Sequence, residues 1–153
     1  MDTSRGVTSE IIQLKDKSTG EAFYRIWLRK KIVAGDVIYA GCYGWCKPPN
    51  VNYNCTKVVF PLPNGNCTVI MTPTTGDDGS LKLVSNGSRY GDPGFYFTIK
   101  NSEGVYYARF VKTMRETIHV YVDSQGVLRT DHTLTIWKRT FLKLHYKIFI
   151  KSY

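Results

Sequence analysis

No stretch of this chain approaches the eighteen or so uninterrupted apolar residues that a membrane-spanning helix requires, so a helical span is excluded. Catalytic signatures are missing as well. There is no Gly-x-Ser-x-Gly elbow, no phosphate loop and no His-Glu-x-x-His, and the three histidines, His119, His132 and His145, are scattered. The carboxylates pair in sequence only at Asp77-Asp78, inside the ordinary turn composition TTGDDGS. With no triad or metal set to place, the expectation is a protein that is not an enzyme and carries no cofactor and no metal. Methionine is scarce, three residues against eleven Tyr, and helical periodicity is almost absent. The one segment that reads as a helical turn is VKTMRET, around Met114.

Acidic residues are also in deficit. Twelve Asp+Glu stand against 21 Lys+Arg, a formal charge of +9, which biases the chain toward polyanions such as nucleic acid or sulfated glycans. From Lys100 onward there are ten basic and four acidic residues, so the excess leans to the C-terminal third. The opening MDTSRGVTSE is polar rather than signal-like, and no export signal is expected in the given residues.

What is present is β-forming. The 153 residues suffice for one domain, taken as 1–153, and the 14% aromatic content joins many β-branched residues in favouring pleated, half-buried surfaces. The period of two is clearest in GFYFTIKNSEGVYYARFV, where Phe95, Phe97 and Ile99 alternate with Tyr96, Thr98 and Lys100 before a turn at Asn101-Ser102-Glu103-Gly104. Further hairpins are read around Ser18-Thr19-Gly20 and around Asp123-Ser124-Gln125-Gly126. With the remaining short apolar runs these give about a dozen strands. The expected fold is all-β: an antiparallel β-sandwich of jelly-roll or Greek-key type, with long loops and little or no helix.

The tripeptide Asn-Cys-Thr occurs twice, at Asn54 and Asn66, bracketing a turn at Pro63-Asn64-Gly65. It reads as two strand entries of one hairpin, since Asn suits a turn and Cys and Thr suit a strand. These triplets and Asn86-Gly87-Ser88 become glycan acceptors only in a secreted chain. Cys42, Cys46, Cys55 and Cys67 are separated by three, eight and eleven residues, a spacing unlike the usual zinc patterns. Free thiols and two disulfides both remain open.

Two surfaces stand out as binding candidates. AGCYGWCKPPN and SNGSRYGDPG read as loops that set Tyr43, Trp45 and Tyr90 beside Asn86, Arg89 and Asp92, the pairing of ring and directional polar group that sugar recognition uses. The terminal segment WKRTFLKLHYKIFIKSY offers Lys138, Arg139, Lys143 and Lys147 as a polyanion stripe. In it Leu142, Leu144, Tyr146, Ile148 and Ile150 are expected to enter the core, with Lys143, His145, Lys147 and Lys151 facing outward. The functional expectation is a recognition module for a glycan or protein receptor, forming a homo-oligomer and placed on a virion or cell surface. The alternatives are a capsid-like protein whose basic strand faces nucleic acid, and a β-barrel carrier of a small ligand.

Overall fold

The computed structural model describes residues 6–149, all-β and antiparallel, without helix. Eleven strands run β1 (Val7–Lys15), β2 (Ala22–Lys31), β3 (Val37–Cys46), β4 (Cys55–Leu62), β5 (Gly65–Thr75), β6 (Leu81–Val84), β7 (Phe95–Lys100), β8 (Tyr106–Phe110), β9 (Met114–Val122), β10 (Leu128–Ile136) and β11 (Arg139–Ile148). The hydrogen-bonded order is β1-β2-β3-β4-β5-β6-β9-β10-β11, with β7 and β8 branching from β5. The branch lies within β5 itself: residues 65–69 pair with β7, and Thr72 to Thr75 pair with β6.

The turns follow local chemistry. Asn101 Oδ1 accepts from the amides of Glu103 and Val105, and Asp123 Oδ1 from those of Gln125 and Val127. Each side chain thereby satisfies amides that the strands leave open at the reversal. The β4–β5 hairpin turns at Pro63-Asn64 as its composition implies, with Asn64 in the left-handed region at φ 61°.

The core is a cluster of Val58, Cys67, Val69, Met71 and Phe95 from β4, β5 and β7. Leu83, Met114, Ile118 and Leu134 of β6, β9 and β10 pack against it, as do Tyr43, Phe60 and Phe97. Burial on this scale is the main source of stability.

Three expectations are corrected. Met114 opens β9 rather than a helical turn; its β-branched successors Thr117, Ile118, Val120 and Val122 suit the pleat better. The stretch GCYGWC is the second half of β3, not a loop. Its glycines make room for rings: a Cβ at Gly41 would meet the Tyr39 hydroxyl at 2.8 Å, and one at Gly44 the Tyr24 ring at 3.1 Å. Finally, Leu142, Leu144, Tyr146 and Ile148 do share one face of β11, but only Leu144 is half-buried and Ile148 is 44% exposed. Among the described residues the strand pairs with β10 alone, and no β11 side chain packs against the core cluster. Ile150 and Lys151 lie outside the described residues.

Candidate functional site

Two segments meet beyond the ends of β3 and β4. Residues 47–54 link those strands, and residues 85–94 link β6 to β7. Asn50 joins them: its Nδ2 donates to the Tyr90 carbonyl at 3.0 Å and to Asp92 Oδ1 at 2.8 Å, while its amide donates to the Gly91 carbonyl at 3.2 Å. Asp92 Oδ2 then accepts from the amides of Ser88 and Arg89. From below, the Tyr96 hydroxyl donates to the Asp92 carbonyl and accepts from the Gly91 amide at 3.0 Å. This bonding, the Asn50 amide first, holds the Asp92 carboxyl down at about 2. The loop is therefore ordered by its own polar network before any ligand arrives.

The six residues singled out there divide. Arg89 and Tyr90 are exposed on the fixed loop, Tyr90 edge-on to Tyr96 with centroids 5.5 Å apart. Asn86 is exposed at the start of the same loop. Asp92 is occupied in holding the loop, so its role is positioning. Tyr43 is half-buried against the core with its hydroxyl bonded to that of Tyr39, and burial raises both phenols. Trp45, two residues along, projects to the same face of β3 as Tyr43, whereas Tyr96 lies on the opposite face. Register shows this, since Tyr96 opposes Thr68, Thr68 opposes Val59, and Val59 opposes Cys42. Trp45 is widely exposed but stands on the other side of the sheet from Tyr90.

The basic segment is likewise reorganised. Lys143, His145 and Lys147 oppose Thr133, Asp131 and Arg129, which oppose Thr117, His119 and Tyr121. Lys82 joins the row opposite His119. This face looks away from the core. Asp131 within it accepts from His145 Nδ1 at 2.7 Å, and that contact lowers its carboxyl. Arg129 is held by Asp123 at 2.7 Å. A register shift at Leu134/Thr135 turns Arg139 opposite Ile136, out of line with Lys143. Lys138 sits at the hairpin tip beside Trp137, and both have positive φ, 66° and 47°.

On the core side of the same strands, Glu116 is 6% exposed and bonds His132 Nε2 at 2.6 Å. Its charge also raises the phenols of Tyr39 and Tyr43 and, after burial itself, the Cys67 thiol, which reaches about 11. Among the described residues no three His, Cys, Asp or Glu side chains gather as metal ligands. At the opposite end of β4 and β7, Asn64, Gly65, Asn66, Lys100, Asn101 and Tyr106 line an open depression of about 460 Å³.

Sequence reasoning passed over Asn50, because its partners are forty and more residues away and no local pattern marks it. It also passed over Trp137, whose turn lacks the Asn-Gly signature such hairpins favour. Comparison with known proteins returned no family model, no curated protein and no solved structure that matches the chain.

Proposed function

We propose that this protein is a non-enzymatic recognition module that binds a glycan or protein receptor through the joined loops 47–54 and 85–94. The observation that carries the reading is the Asn50–Asp92 link, which fixes two loops of distant sequence origin and leaves Arg89 and Tyr90 exposed on them. Loops held on a sheet scaffold are the usual seat of recognition, and a preformed loop loses less entropy on binding. A β-sandwich arrangement belongs to this proposal: its support is the packing of Leu83, Ile118 and Leu134 on Val58, Val69 and Phe95. So does homo-oligomerisation, supported by the apolar side chains exposed on edge strands β1 and β11, among them Ile11, Leu14 and Ile148. Display on a virion or cell surface would suit such a head. A glycan array tests the central claim: one or more glycans are expected to bind, with Arg89→Ala and Tyr90→Ala each weakening the interaction by about 1–3 kcal/mol. Binding unchanged in both variants would sink the loop reading.

The second reading, a polyanion surface, is favoured by one observation. Lys82, Lys143 and Lys147 share the outer face of β6, β9, β10 and β11 and are all exposed.

A further inference from the structure

The β10–β11 hairpin turns through two residues, Trp137 and Lys138, with Ile136 opposite Arg139. Positive φ at both central positions is the type I′ geometry, one of the two turn types whose twist matches that of the strands, and Asn-Gly meets it at least cost. This turn uses a tryptophan and a lysine instead, at φ 47° and 66°. A bulky residue at positive φ is strained. The strain gains no packing for the fold, because Trp137 is 71% exposed; the turn is secured by the Trp137 amide donating to the Thr113 carbonyl at 3.0 Å. An indole is thus held out into solvent beside an exposed ammonium, at the end of the strand that carries Lys143 and Lys147.

We infer that this tip and the outer face of β11 bind single-stranded nucleic acid, with Trp137 as the stacking platform for an unpaired base and Lys138, Lys143, Lys147 and Lys82 as phosphate contacts. The inference rests on the polyanion reading and narrows it. Lysines alone suit any polyanion, but an exposed ring beside a row of cations matches a ligand that has both flat faces and phosphates. A sulfated glycan offers the charge without the flat base. Duplex DNA hides its bases in the stack, so an isolated ring gains little there. Two carboxylates adjoin the face, Asp131 bonded to His145 and Asp123 bonded to Arg129, so the phosphate contacts fall to the lysines.

The deciding experiment is a fluorescence-anisotropy titration of labelled oligodeoxythymidylate, alongside heparin and a duplex, at two salt concentrations. Wild type is expected to bind the single strand, less tightly at high salt, with quenching of tryptophan emission. The double variant Trp137→Asn/Lys138→Gly installs the turn's preferred residues, so it should melt no lower than wild type. It should bind the single strand at least about five-fold more weakly, a loss of the size that removing a stacked ring causes. Trp137→Phe should retain most of the affinity. Lys143→Ala/Lys147→Ala should weaken the single strand and heparin alike. Salt-dependent heparin binding with an unchanged single-strand affinity in the turn variant would overturn the inference and leave the polyanion reading standing. Absence of salt-dependent binding to any of the three ligands would overturn both.

Discussion

Strands β5 and β11 are alike in sequence character and opposite in fate. Both alternate β-formers with polar residues, yet Val69 of β5 is 1% exposed while Ile148 of β11 is 44% exposed. The difference is neighbours. β5 pairs with β4 over residues 65–71, with β7 over residues 65–69 and with β6 over residues 72–75, and its apolar side chains meet Leu83, Ile118 and Leu134. Among the described residues β11 pairs with β10 alone, and none of its side chains packs against the core cluster. Alternation determines which residues share a face; only the partners of that face determine whether it is buried.

The largest expected effect tests this contrast directly. Val69→Asp places an unpaired carboxylate in the centre and should cost at least about 3 kcal/mol, whereas Ile148→Asp should cost about 1 kcal/mol or less. Urea denaturation of the two variants measures both. Equal losses would mean that β11 is covered in solution, which is what edge-to-edge assembly would produce.

A covalent lock at one end of the central strands comes next. Cys46 and Cys55 are register partners closing the β3–β4 ladder, while Cys42 and Cys67 oppose no cysteine. All four are free thiols. Directly opposed Cα atoms stand about 4.5–5.5 Å apart, within the range a disulfide spans. Oxidised glutathione should therefore link Cys46 to Cys55, with two glutathiones released, and raise stability by about 2–3 kcal/mol. Peptide mapping that finds Cys42 or Cys67 in the bridge would contradict the register. Burial raises both thiols, so the reaction should speed up as the pH rises.

At the other end, a Cβ on Gly65 would lie 1.9 Å from the Thr98 carbonyl oxygen. Gly65→Ala must push β5 from β7 and should lower stability by about 1–3 kcal/mol, read as a shift in melting temperature. Alanine at Gly126, where the added carbon meets nothing within 4 Å, carries only the cost of its positive φ.

The smallest effect is local. Asp92 has its carboxyl depressed to about 2, the Asn50 amide being the main cause. Its contribution is present above the ordinary carboxylate range near 4 and is lost as the pH falls through about 2. Limited proteolysis should find the 85–94 loop protected at pH 4 and cleaved readily only near the lower value. Asn50→Ala should expose it at neutral pH while the core still melts as before.

The hairpins were legible because each turn is a conversation between neighbours in sequence: Asn101 with Glu103 and Val105, Asp123 with Gln125 and Val127. The all-β character followed from the same local periodicity. The second half of β3 was hidden, since Gly41 and Gly44 resemble loop residues until the rings of Tyr39 and Tyr24 are seen to need their space. In the candidate site, composition is enough to put Arg89, Tyr90 and Asp92 in one loop, but the separation of Trp45 from Tyr90 and the displacement of Arg139 depend on register and a bulge. Neither leaves a trace in one sequence.

The branching of β5 also has a kinetic meaning. Its pairing with β4 joins residues across a two-residue turn, but its pairing with β7 joins Gly65 to Ile99, and β6 reaches β9 through Leu81 and Val120. The hairpins can close early and independently. The two long-range pairings, whose nearest partners are Val69 with Phe95 and Val84 with Thr117, must each overcome the closure entropy of about twenty-five or more residues before any burial rewards them. Folding should therefore be slow for a chain of this size, limited by the step at which β5 acquires its distant partners, and until then the apolar edge of β5 is open to other chains.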